Sequence, residues 1–319
     1  RLFTGRQMKY FIAGGCGFIG SHIIHNLLKN QPDCDIIAYD NLSSGKLKFL
    51  KDIENNPRLK IIIGDIKNLY HLADVMRNSD IVIHLASNPD IAKAAKNPSI
   101  DFWEGTYLTQ NILEAMRVNR IHKILYASGS GIYGDSGSII LNEDYPFKLP
   151  VSTYAASKIA GEAMICAYCY RFDMKGRAYR FANAVGQNQT HGVAYDFIQK
   201  LKKDPTRLQI LGNGLQSKAY VYIDDIISSI YATVDSKYTF DYFNVAPDDY
   251  ITVNEIAKIV INKMNLSKVK IEYTGGDVGW AGDIRMVRFN TDKIKSFGWK
   301  AEYTSQQAIE KSVELMLGE

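Results

Sequence analysis

Two side chains in the segment Ser152-Thr153-Tyr154-Ala155-Ala156-Ser157-Lys158 have the types and the spacing for proton transfer. Tyr154 and Lys158 are four residues apart, and on a helix residues i and i+4 share a face, so a phenol and an ammonium would point into one pocket. A phenol ionises at about pH 10, and a neighbouring cation favours the phenolate. Lys158, helped by the positive ring of an oxidised cofactor, is therefore expected to draw Tyr154 towards neutrality, where it could take a hydroxyl proton as hydride leaves the same carbon. The spacing alone also occurs on solvated helix faces. A second motif gives it meaning.

Gly14-Gly15-Cys16-Gly17-Phe18-Ile19-Gly20 follows an apolar run and opens an amphipathic one, and it fits both G-x-G-x-x-G and G-x-x-G-x-x-G. Glycines let such a turn tighten and let the backbone approach a pyrophosphate, which sits against the positive helix N-terminus. Asp40 closes the second apolar run twenty residues after Gly20, where a carboxylate can hold the adenosine ribose hydroxyls and repel a 2′-phosphate. The combination implies NAD rather than NADP, and with Tyr154 and Lys158 it reads as an oxidoreductase.

These groups need a scaffold. Five short apolar runs, Lys9–Ala13, Asp35–Tyr39, Leu59–Ile63, Ile81–Leu85 and Lys123–Ala127, alternate with helical stretches at Ser21–Lys29, Leu69–Met76 and Thr106–Val118. Near-continuous apolar strands fit burial on both faces, and the β-α-β-α rhythm predicts a doubly wound parallel Rossmann sheet. After about residue 187 the rhythm loosens into helices at Tyr195–Lys203, Asp224–Val234 and Val253–Met264, with a glycine turn at Gly212-Asn213-Gly214. The expected organisation is an NAD-binding domain over residues 8–182 and a smaller, mainly substrate-binding lobe over 183–319, with segments around 219–246 returning to the first. Arg1 to Gln7 are set aside from the fold, since Met8-Lys9-Tyr10 begins the first strand.

At 319 residues, 46% hydrophobic and 23% charged, the chain is long enough for two lobes. Its 38 basic and 34 acidic residues are spread along it without the basic block of a nucleic-acid groove or a membrane-surface patch. No apolar run approaches the ~18 residues of a membrane span, and no charged-apolar-small leader opens the sequence, so a cytoplasmic location is expected. Cys166 and Cys169 form the one C-x-x-C, with no second pair to complete a zinc site; they read as packed thiols. His22 and His25 share a helix face without a carboxylate or thiolate cluster nearby in sequence, and no metal is expected.

Nearly the whole chain resembles the extended short-chain dehydrogenase/reductases that act on sugar nucleotides. The likeness rests on the glycine motif with Ser21-His22, on Asp40-Asn41-Leu42-Ser43-Ser44-Gly45, Gly64-Asp65-Ile66, His84-Leu85-Ala86-Ser87 and Ile132-Tyr133-Gly134-Asp135, on Tyr154-Ala155-Ala156-Ser157-Lys158, and on Val221-Tyr222-Ile223-Asp224-Asp225, in that order. The resemblance implies a cofactor site of Gly14, Gly17, Phe18, Ile19, Gly20, Asp40, Asn41, Ser43 and Gly45, with Asp65 and Ile66 flanking adenine and Leu85, Ala86 and Ser87 lining the cofactor's middle. Lys158 would also grip the nicotinamide ribose. Asn183, in Arg180-Phe181-Ala182-Asn183, would contact the sugar-nucleotide diphosphate. Lys218 stands where the family has an arginine that reaches the nucleotide, keeping charge without bidentate geometry. The resemblance further implies a homodimer in which Thr106–Val118 and Thr153–Tyr170 build a four-helix contact.

Three departures matter. The family's Ser or Thr four residues before the Tyr of the Tyr-Gly pair is Gly129 here; Ser128 and Ser130 flank it, and Ser130 is the preferred substitute for contact with the reacting hydroxyl, although both could merely cap the strand end. Dehydratases of the family carry an Asp-Glu pair just after that position and decarboxylases a Glu, whereas this chain has Ser130-Gly131, so removal of the sugar C5 proton lacks an obvious base. A late family arginine is Trp280, before Gly282-Asp283, leaving Arg285 or Arg288 to replace it. The expected activity is oxidation and reduction at C4 of a UDP- or GDP-type hexose or heptose with tightly bound NAD, by a 4-epimerase. A net 4-dehydrogenase and a non-catalytic NAD-binding regulator are the alternatives.

Overall fold

Apolar side chains leave both faces of the first strand, β1 (Met8–Ala13): Ile12 joins one buried cluster, Phe11 and Ala13 the other. A strand with no polar face belongs inside a sheet covered on both sides. Parallel to it run β2 (Cys34–Asp40), β3 (Leu59–Ile63), β4 (Ile81–His84) and β5 (Lys123–Ala127). Two more strands, Lys175–Phe181 and Phe240–Val245, extend the sheet beyond β5. The order across its seven strands is Phe240–Val245, Lys175–Phe181, β5, β4, β1, β2, β3. The computed structural model describes residues 7–89, 93–94, 96–146, 150–279 and 283–318; Trp280 and Gly282 lie outside them.

Helices cover both faces. α1 (Phe18–Asn30) buries Ile23, Ile24 and Leu27 on one, while α2 (Leu69–Met76), α3 (Tyr107–Asn119) and α4 (Thr153–Arg171) bury Leu72, Ile112 and Ile165 on the other. α5 (Val193–Lys203), α6 (Ile223–Thr233) and α7 (Val253–Lys263) add Phe197, Ile226 and Ile256 to the cluster shared with α1. Short strand pairs organise the second half: Asn183–Val185 with Tyr220–Tyr222, Ser217–Lys218 with Ile251–Thr252, and Arg207–Ile210 with Lys270–Tyr273. No helix among the described residues is long and apolar enough to cross a membrane.

The sequence reading stopped at five strands because Lys175–Phe181 carries two arginines in what is an interior strand. Both are buried, and both have partners: Arg177 donates to the carbonyls of Gly176 and Ser236, and Arg180 to the carboxylate of Glu162. α1 starts at Phe18, earlier than the expected Ser21, because the end of the glycine motif is already helical. The chain winds outwards from β1 to β3 and returns to β4 on the other side of β1. At such a switch point the C-terminal ends of the strands diverge and leave a crevice, and there the site residues collect.

Candidate active site

β1 to β5 all discharge into that crevice: β1 into Gly14, β2 into Asp40 and Asn41, β3 into Asp65, β4 into Leu85, Ala86 and Ser87, β5 into Ser128. A cleft of about 420 Å³ is bounded by Gly14, Asp40, Asn41, Ser43, Ser44, Asp65, Ile66, Ala86, Ser87 and Glu104. A second cleft lies elsewhere, at the starts of the strands, lined largely by apolar residues including Met8, Ile23 and Ile227, and has none of these groups.

The glycine loop has the shape a pyrophosphate needs. Gly14 has φ +84°, a region side chains rarely adopt, and a Cβ there would lie 3.0 Å from the Ala86 backbone nitrogen. A side chain on Gly20 would run into the Gly14 carbonyl, so α1 seats directly on the loop. Gly17 caps that helix, leaving the first-turn N–H groups, at Phe18 and Ile19, to face an anion. The Asp40 carboxylate accepts from the backbone N–H of Leu42 at 2.8 Å and of Cys16 at 3.0 Å, while burial pushes its carboxyl upwards. A Cβ on Gly45 would come within 2.8 Å of the same carboxylate, so that loop folds over Asp40 closely. Asp65 ties its own turn through the Lys67 N–H, and Lys67 pairs with Glu104 at 2.5 Å across the mouth of the cleft. The cradle and the acid at the end of β2 fit a dinucleotide with free ribose hydroxyls.

Further along the crevice lie Tyr154 and Lys158 on α4. The Ser152 hydroxyl caps that helix, accepting from the Ala155 N–H at 3.1 Å. Gly161 lets α4 approach β5, since a side chain there would strike the Tyr126 hydroxyl. Lys158 consequently reaches the end of β5 and donates to the Ala127 carbonyl at 2.7 Å, with its ammonium 5.5 Å from the centre of the Tyr154 ring. Burial draws this lysine down to about 8, opposed by the charges of Glu162 and Asp101. At Tyr154 burial first, and the charge of Asp101 second, act against the lysine and push the phenol up to about 12 in the chain by itself. The Lys158 ammonium is turned to the Ala127 carbonyl.

The two flanking serines separate. Ser128 donates to Glu162 at 2.5 Å and is committed to the interior, whereas half-buried Ser130 opens the short turn Ser130–Tyr133. Gly129 has extended backbone, φ −166°, and a Cβ built on it would sit 3.9 Å from the Tyr154 hydroxyl. The substrate-side candidates cluster in the second half. Asn183 donates to the Ala219 carbonyl at 3.4 Å; Lys218 pairs with buried Asp283 at 2.7 Å. Arg288 donates to the Ser217 carbonyl and hydroxyl, both at 3.0 Å, and stacks 3.9 Å from the Tyr250 ring centre. Arg285 instead reaches the exposed Asp277 at 3.7 Å, so of the two candidates Arg288 is the one built into this lobe.

Sequence reasoning missed Asp101 and Glu162. Glu162 carried a signal, being one helical turn beyond Lys158; Asp101 carried none, since only tertiary structure brings it to the start of α4. The histidines have structural partners, His25 with Asp52 at 3.0 Å and His22 with the Gln187 carbonyl at 2.8 Å. No metal-binding cluster occurs among the described residues.

Comparison with known proteins gives a consistent picture. The family model described as the NAD dependent epimerase/dehydratase family matches residues 10–246. The dTDP-D-glucose 4,6-dehydratase of Mus musculus is 27% identical over 314 residues, spanning 96% of this chain and 88% of that protein. The UDP-glucose 4-epimerase of Mycolicibacterium smegmatis is 26% identical over 315 residues, spanning 96% and 98%. A crystal structure of UDP-galactose 4-epimerase matches with a TM-score of 0.87 and 32% identity over 98% of this chain and 99% of that one.

Proposed function

The chain belongs to the NAD-dependent epimerase/dehydratase family, enzymes whose cofactor is NAD, and on that premise we propose that it is a 4-epimerase of a UDP- or GDP-linked hexose or heptose. The observation that carries this reading is the set of groups around Tyr154. They are a phenol, an ammonium and hydroxyls, and Ser130-Gly131 stands where elimination of water requires a carboxylic acid and a carboxylate. The buried carboxylates nearby, Asp101 and Glu162, are held by protein donors.

Bound NAD would supply the hydride acceptor and donor for sugar C4. Tyr154 as phenolate accepts the C4 hydroxyl proton in the first half of the cycle and gives it back to the C4 oxygen in the second. Lys158, charged at neutral pH, holds the ribose and orients the phenol. Ser130 contacts the reacting hydroxyl. The keto sugar turns between the two halves, so one proton and one hydride leave and return, and the product keeps its mass with C4 inverted. Asp40 takes the adenosine ribose, Asp65 and Ile66 the adenine, and Leu85, Ala86 and Ser87 the middle of the cofactor. Asn183, Lys218 and Arg288 take the nucleotide diphosphate. In this reading residues 8–182 carry the cofactor and 183–319 mainly the sugar nucleotide, with 219–246 rejoining the sheet. Two chains pair through α3 and α4 in this reading, which is supported by the exposure of Val118 and Tyr170 on those helices and of Phe102 and Trp103 just before α3.

The test is to incubate the NAD-loaded protein with UDP-, GDP-, dTDP- and CDP-sugars and follow nicotinamide absorbance together with product mass and NMR. A product of unchanged mass with inverted C4 supports epimerisation. A product lighter by two hydrogens, with NADH accumulating until an acceptor is added, replaces it with net 4-dehydrogenation. No response to any sugar removes the catalytic reading.

A further inference from the structure

Asp65 and Glu104 both border the cofactor cleft, and the Lys67 ammonium lies between them. One oxygen of Asp65 accepts from the Lys67 backbone N–H at 2.8 Å; the other lies 3.7 Å from the Lys67 ammonium, too far for a hydrogen bond. That ammonium goes instead to Glu104, at 2.5 Å. Glu104 first, against the cost of burial, and Asp65 after it hold the ammonium above its ordinary range. The backbone beneath these groups is tied. The Tyr39 hydroxyl donates to the Asp65 carbonyl at 3.1 Å, and the Asn111 amide of α3 to the Ile66 carbonyl at 3.0 Å. Glu104 sits in the single turn Phe102–Thr106 before α3, where its carbonyl accepts from the Asn88 N–H at 3.1 Å. The neighbouring Gly105 packs so closely on α4 that a Cβ there would be 2.8 Å from the Ser157 hydroxyl. The flexible part is the four-carbon stem of Lys67, with 35% of the side chain exposed. Moving the ammonium about 1 Å closer to Asp65 would complete a charge-assisted hydrogen bond there.

Resting on the placement of adenine beside Asp65, we propose that Glu104 is a positioning residue for adenine recognition: it holds the Lys67 ammonium off Asp65 and leaves that carboxylate oxygen to accept from the adenine 6-amino group. An ionised carboxylate only accepts and an ammonium only donates, so Lys67 and the amino group are rivals for the same oxygen. Glu104 settles the contest because it offers Lys67 a closer acceptor on a backbone that does not move with Asp65. The cleft consequently prefers a 6-amino purine to a 6-oxo purine, whose oxygen would face the carboxylate with no proton to give. Without Glu104 the ammonium falls back on Asp65, and the preference is lost.

The test equilibrates NAD-loaded protein with nicotinamide hypoxanthine dinucleotide, the 6-oxo analogue of NAD, and reads the ratio of the two nucleotides in the bound fraction by chromatography. Wild type is expected to prefer NAD about tenfold, as a hydrogen bond to a charged group allows. In Glu104→Gln the preference should drop to about twofold or less, and adding Lys67→Met to that variant should restore it. General loosening of the cleft weakens both dinucleotides alike and leaves the ratio where it was. A full preference retained in Glu104→Gln would overturn the proposal, and so would a double variant that stays unselective, since Glu104 would then be touching the base itself. Glu104→Ala repeats the measurement if the amide variant does not fold. A wild type that does not distinguish the two dinucleotides would remove adenine from Asp65 and the proposal with it. The exchange needs no sugar, so failure of every nucleotide sugar to react would sink the epimerase reading without moving this result.

Discussion

Glu162 and Arg180 face each other at 2.8 Å in the interior, with 4% and 2% of their side chains exposed. Their ion pair is the hub behind the active site. Ser128 donates to the same carboxylate, and Arg180 also donates to the Tyr133 hydroxyl at 2.9 Å and the Glu143 carbonyl at 2.7 Å. Glu162→Gln leaves a buried guanidinium uncompensated, and a loss of about 3–5 kcal/mol is expected in urea unfolding. A loss below about 1 kcal/mol would show that the pair does not organise the interior.

The behaviour in mild acid depends on His84. Burial first, and then the charge of Lys158, hold its imidazole down at about 3, while an unfolded histidine titrates at about 6.5. Between those values the unfolded chain binds the extra proton, so stability is complete above pH ~6.5 and falls as the pH drops towards 3. The slope is at most about 1.4 kcal/mol per pH unit. In His84→Gln that component should vanish, and the gap between the urea midpoints of variant and wild type should change between pH 7 and pH 5. A constant gap would remove His84 from the account.

Gly129→Ser tests what the open space beside Tyr154 means. The extended backbone accepts any residue and the nearest atom to a new Cβ is the phenol oxygen at 3.9 Å, so stability should stay within about 0.5 kcal/mol. A hydroxyl there can bond the reacting oxygen, and at ~1 kcal/mol per hydrogen bond hydride transfer should quicken about fivefold. A slower variant would mean that the substrate itself needs that space.

Lys218→Met is expected to raise KM for the nucleotide sugar about tenfold at unchanged kcat, the signature of an interaction made equally in ground and transition states. Binding of free nucleoside diphosphate by calorimetry should weaken in parallel. An unchanged KM would confine Lys218 to its pair with Asp283.

Much of this site was legible because its chemistry is local. The glycine motif, Asp40 at a strand end, and Tyr154 with Lys158 one turn apart all fall within short windows whose period announces the element that carries them. The rest depended on distant partners. Lys175–Phe181 hid as a strand because Arg177 and Arg180 find acceptors at Ser236 and Glu162, which no window of sequence contains. For Tyr154 the spacing showed the lysine that lowers a phenol's pKa, but not the burial and the Asp101 charge that act in the opposite direction.

The sheet order also sets a timetable for synthesis. Lys175–Phe181 leaves the ribosome well before Phe240–Val245, the edge strand that covers it. At about 5–20 residues per second the nascent chain waits roughly 3–12 s with that flank open. Charged side chains discourage unpaired strands from joining strangers. Lys175, Arg177 and Arg180 put charge on the strand during this interval, which ends when Ser236 accepts from Arg177 and Phe240–Val245 pairs with the open edge.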